Sequence, residues 1–171
     1  KVKSHGIGGR ILAWITNWTE GRTQRVVLNG NQSNIAEVLS SVVQGSVLGP
    51  ILFAIYINDL YKSIDRVNDV LISKFADDTK LGKSISDPSD CKKLQTALDQ
   101  LSEWSDIWGM QLHPDKCVVL HFGHSNPRNT YSINGTAIEA KDCTRDLGVI
   151  TSDNVSPTQH VTNVAKRAHV V

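Results

Sequence analysis

Two adjacent aspartates, Asp77 and Asp78, are the residues with the clearest chemical potential in this sequence. They lie between the apolar, β-branched segment 70–73 and the alternating segment 80–85, a pattern that predicts a β-hairpin with the Asp-Asp pair at its tip. Strand neighbours point to opposite faces, but at a turn both carboxylates can reach one point in space. Two carboxylates held there could bind Mg²⁺, which keeps water ligands and favours substrate phosphates. A solvated Asp-Asp turn without a ligand is the competing interpretation.

The loop 44–50 is a second segment that could bind a ligand. Its sequence is Gln-Gly-Ser-Val-Leu-Gly-Pro, and the helical apolar pattern of residues 51–61 follows it. Glycine lets the backbone approach a ligand closely, and a helix N-terminus favours phosphate. A plain loop-to-helix junction would have the same sequence pattern, so the loop alone does not establish a site.

Helical spacing predicts two further helices with buried faces. The first helix covers residues 10–18, and its apolar stripe consists of Ile11, Trp14, Ile15 and Trp18. We expect this stripe to belong to the hydrophobic core rather than to form a platform on which bases stack. The second begins near the acidic segment 86–90 and ends before Gly109. Its expected buried residues are Leu94, Leu98, Leu101, Trp104 and Trp108.

The remaining segments predict short strands and a last helix. Residues 23–30 end in an Asn-Gly turn and are expected to pair with 35–43, and residues 131–138 to form a hairpin about Asn134-Gly135. The other predicted elements are a strand over 118–123, a strand over 145–150 and a helix over 156–171.

Composition sets limits on the class of protein. The 171 residues are enough for one domain with a real core, and 18 basic against 17 acidic residues do not by themselves indicate nucleic-acid binding. Cys91, Cys117 and Cys143 are expected to be reduced thiols of an intracellular protein. A zinc site at Cys117, His121 and His124 is disfavoured because no fourth ligand follows at a usual spacing. The sequence shows no signal-peptide pattern and no long apolar run, so we expect no membrane partner.

Three blocks in a fixed order make the sequence resemble a known family. They are Gln44-Gly45-Ser46-Val47-Leu48-Gly49-Pro50, then Phe75-Ala76-Asp77-Asp78, then Pro114-Asp115-Lys116-Cys117. Their order and spacing are similar to those of the reverse transcriptases of non-LTR retrotransposons, of the jockey and chicken-repeat type. Segments 6–14, 22–26 and 146–149 also resemble that family, so the likeness covers nearly the whole chain.

The resemblance implies a fold and an activity. The implied fold is α+β, the palm subdomain of a right-hand polymerase, in which helices pack on an antiparallel sheet. The palm corresponds to residues 1–124, and the palm–thumb connection with the start of the thumb to residues 125–171. The fingers are absent. The implied activity is RNA-directed DNA polymerisation, which transfers dNTPs onto a DNA primer 3′-hydroxyl along an RNA template. It requires two Mg²⁺ ions, for which Mn²⁺ can substitute.

The resemblance also implies partners and a location for the parent protein. The rest of the parent polyprotein, with its fingers, thumb and endonuclease, is the implied protein partner. The parent element is expected in the nucleus and cytoplasm as a ribonucleoprotein.

The resemblance further assigns roles to individual residues. Asp77 matches the family's metal-binding carboxylate, and Asp78 matches its neighbour beside the primer terminus, where it would also contact metal. Lys116 falls where such polymerases place a lysine near the leaving pyrophosphate, whose developing charge a cation offsets. The nucleotide- and template-binding loop corresponds to Gln44, Gly45 and Ser46. The primer-binding positions correspond to Phe75, Ala76, Leu120, His121, Phe122 and Gly123.

The sequence departs from the family pattern at three positions. Val43 stands where proline is usual, Ser41 where glycine is usual, and His113 where asparagine is usual. The family's remaining catalytic aspartate lies in a motif that precedes the segment 3–7, so we expect this chain alone to be inactive or nearly so. Two other hypotheses stay open: a degenerate or co-opted remnant that binds nucleic acid or a protein partner, and a Mg²⁺-dependent phosphotransferase of another kind.

Overall fold

The computed structural model describes residues 1–64 and 69–168, which combine helices with short strands and confirm the expected α+β class. The α-helices of these residues are α1 (Gly9–Thr19), α2 (Gly49–Ile57), α3 (Leu60–Ser63), α4 (Pro88–Trp108) and α5 (Thr158–Ala168). Short 3-10 turns cover Lys3–His5 and Pro114–Lys116. No helix within the described ranges is both long enough and apolar enough to cross a membrane.

The strands are short and pair two by two. They are β1 (Thr23–Gln24), β2 (Val27–Leu28), β3 (Asn31–Gln32), β4 (Ala36–Glu37), β5 (Leu71–Phe75), β6 (Asp78–Gly82), β7 (Val118–Leu120), β8 (Ser132–Ile133), β9 (Thr136–Ala137), β10 (Glu139–Lys141), β11 (Cys143–Asp146) and β12 (Val149–Ser152). The pairs β1–β4, β2–β3, β8–β9 and β11–β12 are antiparallel, β5 pairs with β6, and β7–β10 is parallel.

The expected antiparallel sheet is therefore not assembled within the described residues. Each hairpin closes on itself over two to five residues per strand, and no third strand joins any described pair. Such short pairs have little stability of their own, and packing against a helix supports the hairpin β8–β9, which lies on α4.

The described chain divides into two compact units. One consists of Lys1–Tyr61 and Phe75–Asp78, and the other of Lys62–Lys74 and Thr79–Val171. The division between residues 124 and 125, which the family resemblance implies, stays a prediction.

In the first unit, α1 lies where the periodicity predicts it, but its buried face is narrower than expected. Ile15 is buried, whereas Ile11 is 63% exposed and Trp14 is 55% exposed. The expectation that all four apolar residues of this stripe are core is thus wrong for Ile11 and Trp14. The short strands that follow α1 are exposed along their length and provide no apolar layer to cover a second face of the helix.

The strands of the first unit are also shorter than predicted. The Asn29-Gly30 turn is confirmed, with φ of 48° and 80°, but the expected strand 23–30 is divided into β1 and β2. The Ser33 hydroxyl accepts the Val26 N–H at 2.9 Å, and the Ser33 N–H donates to the Val26 carbonyl at 2.9 Å. This side-chain contact replaces one ladder bond and interrupts the strand.

In the second unit, α4 is the longest element, and the hairpin β8–β9 packs against it. Tyr131, Ile133 and Ile138 form a buried cluster, and the partly buried side chains around it are Leu94, Leu98, Leu112, Cys117 and Val119. The Gln95 side-chain amide exchanges two hydrogen bonds with the Ser132 backbone, at 2.9 and 3.0 Å. The helix and the hairpin are therefore joined by both apolar burial and polar contacts.

The predicted boundaries of α4 are confirmed, but one of its expected core residues is exposed. Gly109 ends the helix with φ of 66°, as a left-handed C-terminal glycine should. Leu101 and Trp104 are buried, whereas Trp108 is 40% exposed. Trp108 occupies the last position of the helix, several turns beyond the leucines that pack on the hairpin.

Two strands and the last helix differ from their predicted bounds. The strand predicted over 118–123 ends at Leu120. The segment 145–150 is not one strand but the centre of the β11–β12 hairpin, which turns at Leu147-Gly148 with φ of 45° and 89°. The helix predicted over 156–171 begins at Thr158, and residues 169–171 lie outside the described residues.

A capping box fixes the start of α4. The Asp87 carboxylate accepts the Ser89 N–H at 2.6 Å, and the Asp90 carboxylate accepts the Ser86 and Asp87 N–H groups at 3.0 and 3.3 Å. The Ser86 N–H, followed by the Lys93 ammonium 3.0 Å away, holds the pKa of Asp90 well below its usual range. Asp90 is therefore ionised and partnered in the folded chain.

We expect the second unit to lose stability in acid because Asp90 must become protonated. A carboxyl whose folded pKa is depressed stabilises the fold above its unfolded pKa, about 4, and this contribution is lost as the pH falls below that value. Asp90→Asn should lower the melting temperature at pH 7 by about 2–4 °C. The difference from the parent should shrink when melting is followed by circular dichroism at about pH 3. Glu103→Gln, an exposed position on the same helix, is the matched control.

Candidate active site

The Asp-Asp pair lies on the predicted hairpin, at the connection between β5 and β6. Ala76 and Asp77 form the turn, whereas Asp78 is the first residue of β6, so the turn holds one aspartate rather than the expected two. Both aspartates are exposed, and neither carboxylate takes part in an ion pair with another described residue. Their oxygens are accordingly open to a ligand from solvent.

The turn itself has an unusual backbone conformation. Ala76 has φ of 52°, in the left-handed region where a residue with a Cβ costs about 1–2 kcal/mol relative to glycine. The pairing of β5 with β6 must hold this conformation in place. Strain of this kind is found at sites where a functional group has to be held in one position.

Within the second unit, β6 is joined to two other elements. The Lys80 ammonium forms an ion pair with Asp146 at the end of β11. Lys83, which follows β6 and has a side chain only 5% exposed, lies 3.5 Å from the Asp90 carboxylate of α4. These ion pairs join the part of β6 that follows Asp78 to α4 and β11, which belong to the same unit. Lys80 and Asp146 are 66 residues apart, and their opposite charges are the only signal of this pair in the sequence.

The loop 44–50 has the loop-to-helix arrangement that its sequence predicts. Gly45 has φ of 79°, and the Ser46 hydroxyl donates to the Val43 carbonyl at 2.6 Å. The same hydroxyl accepts the Gly49 N–H, 3.0 Å away, at the start of α2. A Cβ on Gly49 would lie 3.0 Å from the Ser46 oxygen and 3.2 Å from the Val43 carbonyl, so a larger residue there would have to displace these atoms by a few tenths of an ångström. Gln44 is exposed, and the loop belongs to the same unit as Phe75–Asp78.

The other predicted site residues belong to the second unit. Lys116 is exposed at the end of a 3-10 turn, where its N–H donates to the His113 carbonyl at 2.9 Å. Leu120 is the last residue of β7 and pairs with Lys141 of β10. His121 is buried, with its ring 6.3 Å from that of Tyr131.

Residues 121–123 lie after the end of β7, so the strand predicted for them is not present, and the primer contact that the resemblance implies stays a prediction. Phe122 is 48% exposed. Gly123 has φ of 87°, a left-handed conformation that a β-strand does not continue through. Of the primer-binding positions that the resemblance implies in this segment, Phe122 and Gly123 are the exposed ones.

Sequence comparison with known families identifies the family of proteins to which the Asp-Asp hairpin and the loop 44–50 belong. The sequence model of the family described as reverse transcriptase (RNA-dependent DNA polymerase) matches residues 1–155. The chain belongs to the reverse transcriptase family. The matched range includes the hairpin with Asp77 and Asp78, the loop 44–50 and the turn that ends at Lys116. The family predicted from the three sequence blocks is therefore confirmed.

Curated relatives agree with this membership. The RNA-directed DNA polymerase from mobile element jockey of Drosophila melanogaster is 31% identical over 156 residues, which are 88% of this chain and 17% of that protein. The jockey polymerase of Drosophila funebris is 30% identical over 161 residues, 91% of this chain and 18% of its own length. A probable RNA-directed DNA polymerase from transposon X-element of Drosophila melanogaster is 26% identical over 159 residues, 90% of this chain and 17% of the relative. This chain thus spans less than a fifth of these relatives, and no solved structure matches it significantly.

The donor chemistry of this reverse transcriptase segment fits a hard divalent cation. Asp77 and Asp78 supply carboxylate oxygens, the ligands that Mg²⁺ prefers. In the described part of the chain, no three acidic, histidine or cysteine side chains are grouped so that they could hold a metal ion together. Mg²⁺ is commonly bound by one or two carboxylates together with water and substrate phosphates, and a two-carboxylate site suits that mode.

Ser41 gives a physical test of one departure from the family pattern. It has φ of 88°, a conformation that favours glycine, which is the residue that the family resemblance implies at this position. Ser41→Gly should therefore raise the free energy of unfolding by about 1 kcal/mol, measured by chemical denaturation. Ser40→Gly is the matched control, because Ser40 is not among the described residues with positive φ. Glycine at position 40 should lower the free energy of unfolding, since it raises the entropy of the unfolded chain without relieving strain in the folded one. Equal effects of the two substitutions would contradict the argument.

Proposed function

We propose that this chain is the palm segment, with the start of the thumb, of a retrotransposon RNA-directed DNA polymerase. The observation that carries the proposal is the exposed Asp77-Asp78 pair at a strained hairpin connection, in a chain of the reverse transcriptase family. The substrates are an RNA template, a DNA primer and dNTPs, and the reaction joins a nucleotide to the primer 3′-hydroxyl.

The residues of the chain have distinct tasks in this proposal. Asp77 and Asp78 would hold the metal ions, Mg²⁺ or Mn²⁺, which would supply charge stabilisation for phosphoryl transfer. The exposed Lys116 ammonium offsets the charge that develops on the leaving pyrophosphate. The loop of Gln44, Gly45 and Ser46 supports the templating base and the incoming nucleotide through its backbone. The primer end is held by the positions Phe75, Ala76, Leu120, His121, Phe122 and Gly123.

The complete reaction needs more than this chain. The segment corresponds to less than a fifth of the length of the jockey polymerases, so we infer that fingers, further thumb and another catalytic carboxylate come from the rest of a longer protein. We therefore expect the 171-residue chain alone to extend no primer. The location of the parent element as a nuclear and cytoplasmic ribonucleoprotein also stays a prediction.

A chimera tests the proposal directly. The segment of the Drosophila melanogaster jockey polymerase that aligns with this chain is replaced by residues 1–155, and primer extension is measured on an RNA template with Mg²⁺. We expect measurable extension by the chimera and none by the isolated chain. A soluble, folded chimera without activity would contradict the proposal that this segment retains a functional palm.

A second candidate function has one observation in its favour. Ser41 is held in a conformation that favours glycine, and Val43 replaces the usual proline beside the candidate nucleotide loop. Both changes are compatible with a degenerate or co-opted remnant that binds nucleic acid or a protein but performs no catalysis. An encoding frame that is interrupted upstream of Lys1, together with an inactive chimera, would favour the remnant. An open upstream frame with an aspartate motif would favour the polymerase.

A further inference from the structure

Helix α1 presents two indoles and a guanidinium on an exposed face. Arg10, Trp14 and Trp18 recur every four residues, so they lie along one side of the helix. The rings of Trp14 and Trp18 stack, with centroids 6.3 Å apart and planes inclined by 13°. Trp14 is 55% exposed, and Arg10 is exposed one turn before it. We call these three residues the indole strip.

Arg10 and Trp14 of the indole strip are exposed, whereas Trp18 is half-buried. Ile15 is the buried residue of α1 and lies beside the strip rather than in it. Arg10 forms no ion pair with any residue in the described ranges. The exposed ring of Trp14, with the Arg10 guanidinium one turn before it, is therefore open to solvent.

The sequence segment that carries the indole strip is rich in basic residues, although the whole chain is nearly neutral. The first 25 residues contain Lys1, Lys3, Arg10, Arg22 and Arg25 but only one acidic residue, Glu20, while the full chain has 18 basic and 17 acidic residues.

Only Lys1 among these cations pairs with a described carboxylate, that of Asp59 at 2.6 Å. Arg22 donates to the Thr19 carbonyl and Arg25 to the Gln32 side-chain oxygen, which are neutral acceptors. The positive charge of the segment is therefore largely uncancelled and attracts anions.

We propose that the indole strip binds single-stranded nucleic acid. An unpaired base stacks on the exposed face of Trp14, and the neighbouring phosphate lies near the Arg10 guanidinium. Stacked aromatic side chains within a basic surface are the usual means of holding single strands, because every base has a flat face and every nucleotide a charge. An apolar protein partner would use the indoles but would gain nothing from the surrounding excess of cations. The proposal stands apart from the proposed polymerase function, since it uses neither Asp77 nor Asp78.

The test measures binding of a fluorescently labelled oligouridylate of about twelve nucleotides to the full 171-residue chain by anisotropy. Trp14→Ala should weaken binding about tenfold or more, whereas Trp14→Phe should retain much of it. Trp108→Ala, which removes a 40% exposed indole from α4, should leave the dissociation constant unchanged. Arg10→Gln should reduce the slope of log K against log salt by about 0.7, the value for one phosphate contact to a single strand.

Comparison of Trp14→Phe with Trp14→Leu keeps the test decisive even if the alanine variant fails to fold. Leucine preserves apolar surface but has no π face, so binding by the leucine variant equal to that of the unmodified chain would overturn the proposal. Unchanged binding by a folded Trp14→Ala variant would overturn it as well. Asp106→Asn, at an exposed position of α4 outside both proposed sites, should bind the oligonucleotide normally. Primer extension by the jockey chimera tests the polymerase proposal separately, so failure of the indole strip and failure of the proposed polymerase function can be told apart.

Discussion

Asp77→Asn in the jockey chimera should reduce primer extension at least about a hundredfold, because a carboxylate that holds metal against a reacting phosphate is worth several kcal/mol of transition-state stabilisation. Asparagine is nearly the same size and keeps an oxygen donor, but it removes the negative charge. Asp77 is exposed and forms no ion pair with another described residue, so the substitution removes no contact on which the fold depends.

The matched control is Asp106→Asn, which makes the same chemical change at an exposed position of α4. The control should extend primers at the rate of the unmodified chimera, and both variants should melt at the parent temperature. Extension by Asp77→Asn at the control's rate would show that this carboxylate holds no catalytic metal. Raising the Mg²⁺ concentration should restore part of the lost extension rate if Asp77 acts by binding metal. It should restore none of that rate if Asp77 only stabilises the turn conformation.

Local sequence signals predicted the elements whose structure is set within a few residues. The α4 boundaries follow from acidic residues before the helix and from Gly109, which takes the left-handed conformation that ends it. The turns at Asn29-Gly30 and Asn134-Gly135 have positive φ at both residues, as Asn-Gly pairs favour. The Asp77 turn was found for the same reason, because its strands and its turn residues are contiguous.

Features that depend on distant residues escaped the sequence analysis. The parallel pairing of β7 with β10 joins segments about twenty residues apart, and the ion pair of Lys80 with Asp146 joins segments 66 residues apart. Helical periodicity identified the face of α1 that carries Trp14 but could not reveal whether anything packs on it. The Leu147-Gly148 turn was missed because residues 145–150 resemble a single strand.

Ile133→Ala should be the most destabilising substitution that we consider, lowering the free energy of unfolding of the second unit by about 2–5 kcal/mol. Ile133 is 3% exposed and belongs to the buried cluster between α4 and the hairpin β8–β9. Removing most of its side chain gives up transfer free energy and leaves a cavity, since close-packed neighbours relax only partly. A domain of this size is stable by about 5–15 kcal/mol, so the loss would leave a substantial unfolded fraction at physiological temperature.

Two further variants separate packing from simple loss of apolar surface. Ile133→Val removes one methylene group and should cost about 0.5–1.5 kcal/mol. Ile107→Ala makes the same truncation at a position 71% exposed on α4 and should change the stability by less than about 0.5 kcal/mol. Urea denaturation followed by circular dichroism measures all three. Equal losses of stability at positions 133 and 107 would mean that β8–β9 does not pack on α4. In that case α4, whose Asp90 pairs with Lys83 just after β6, would not be stabilised by the hairpin.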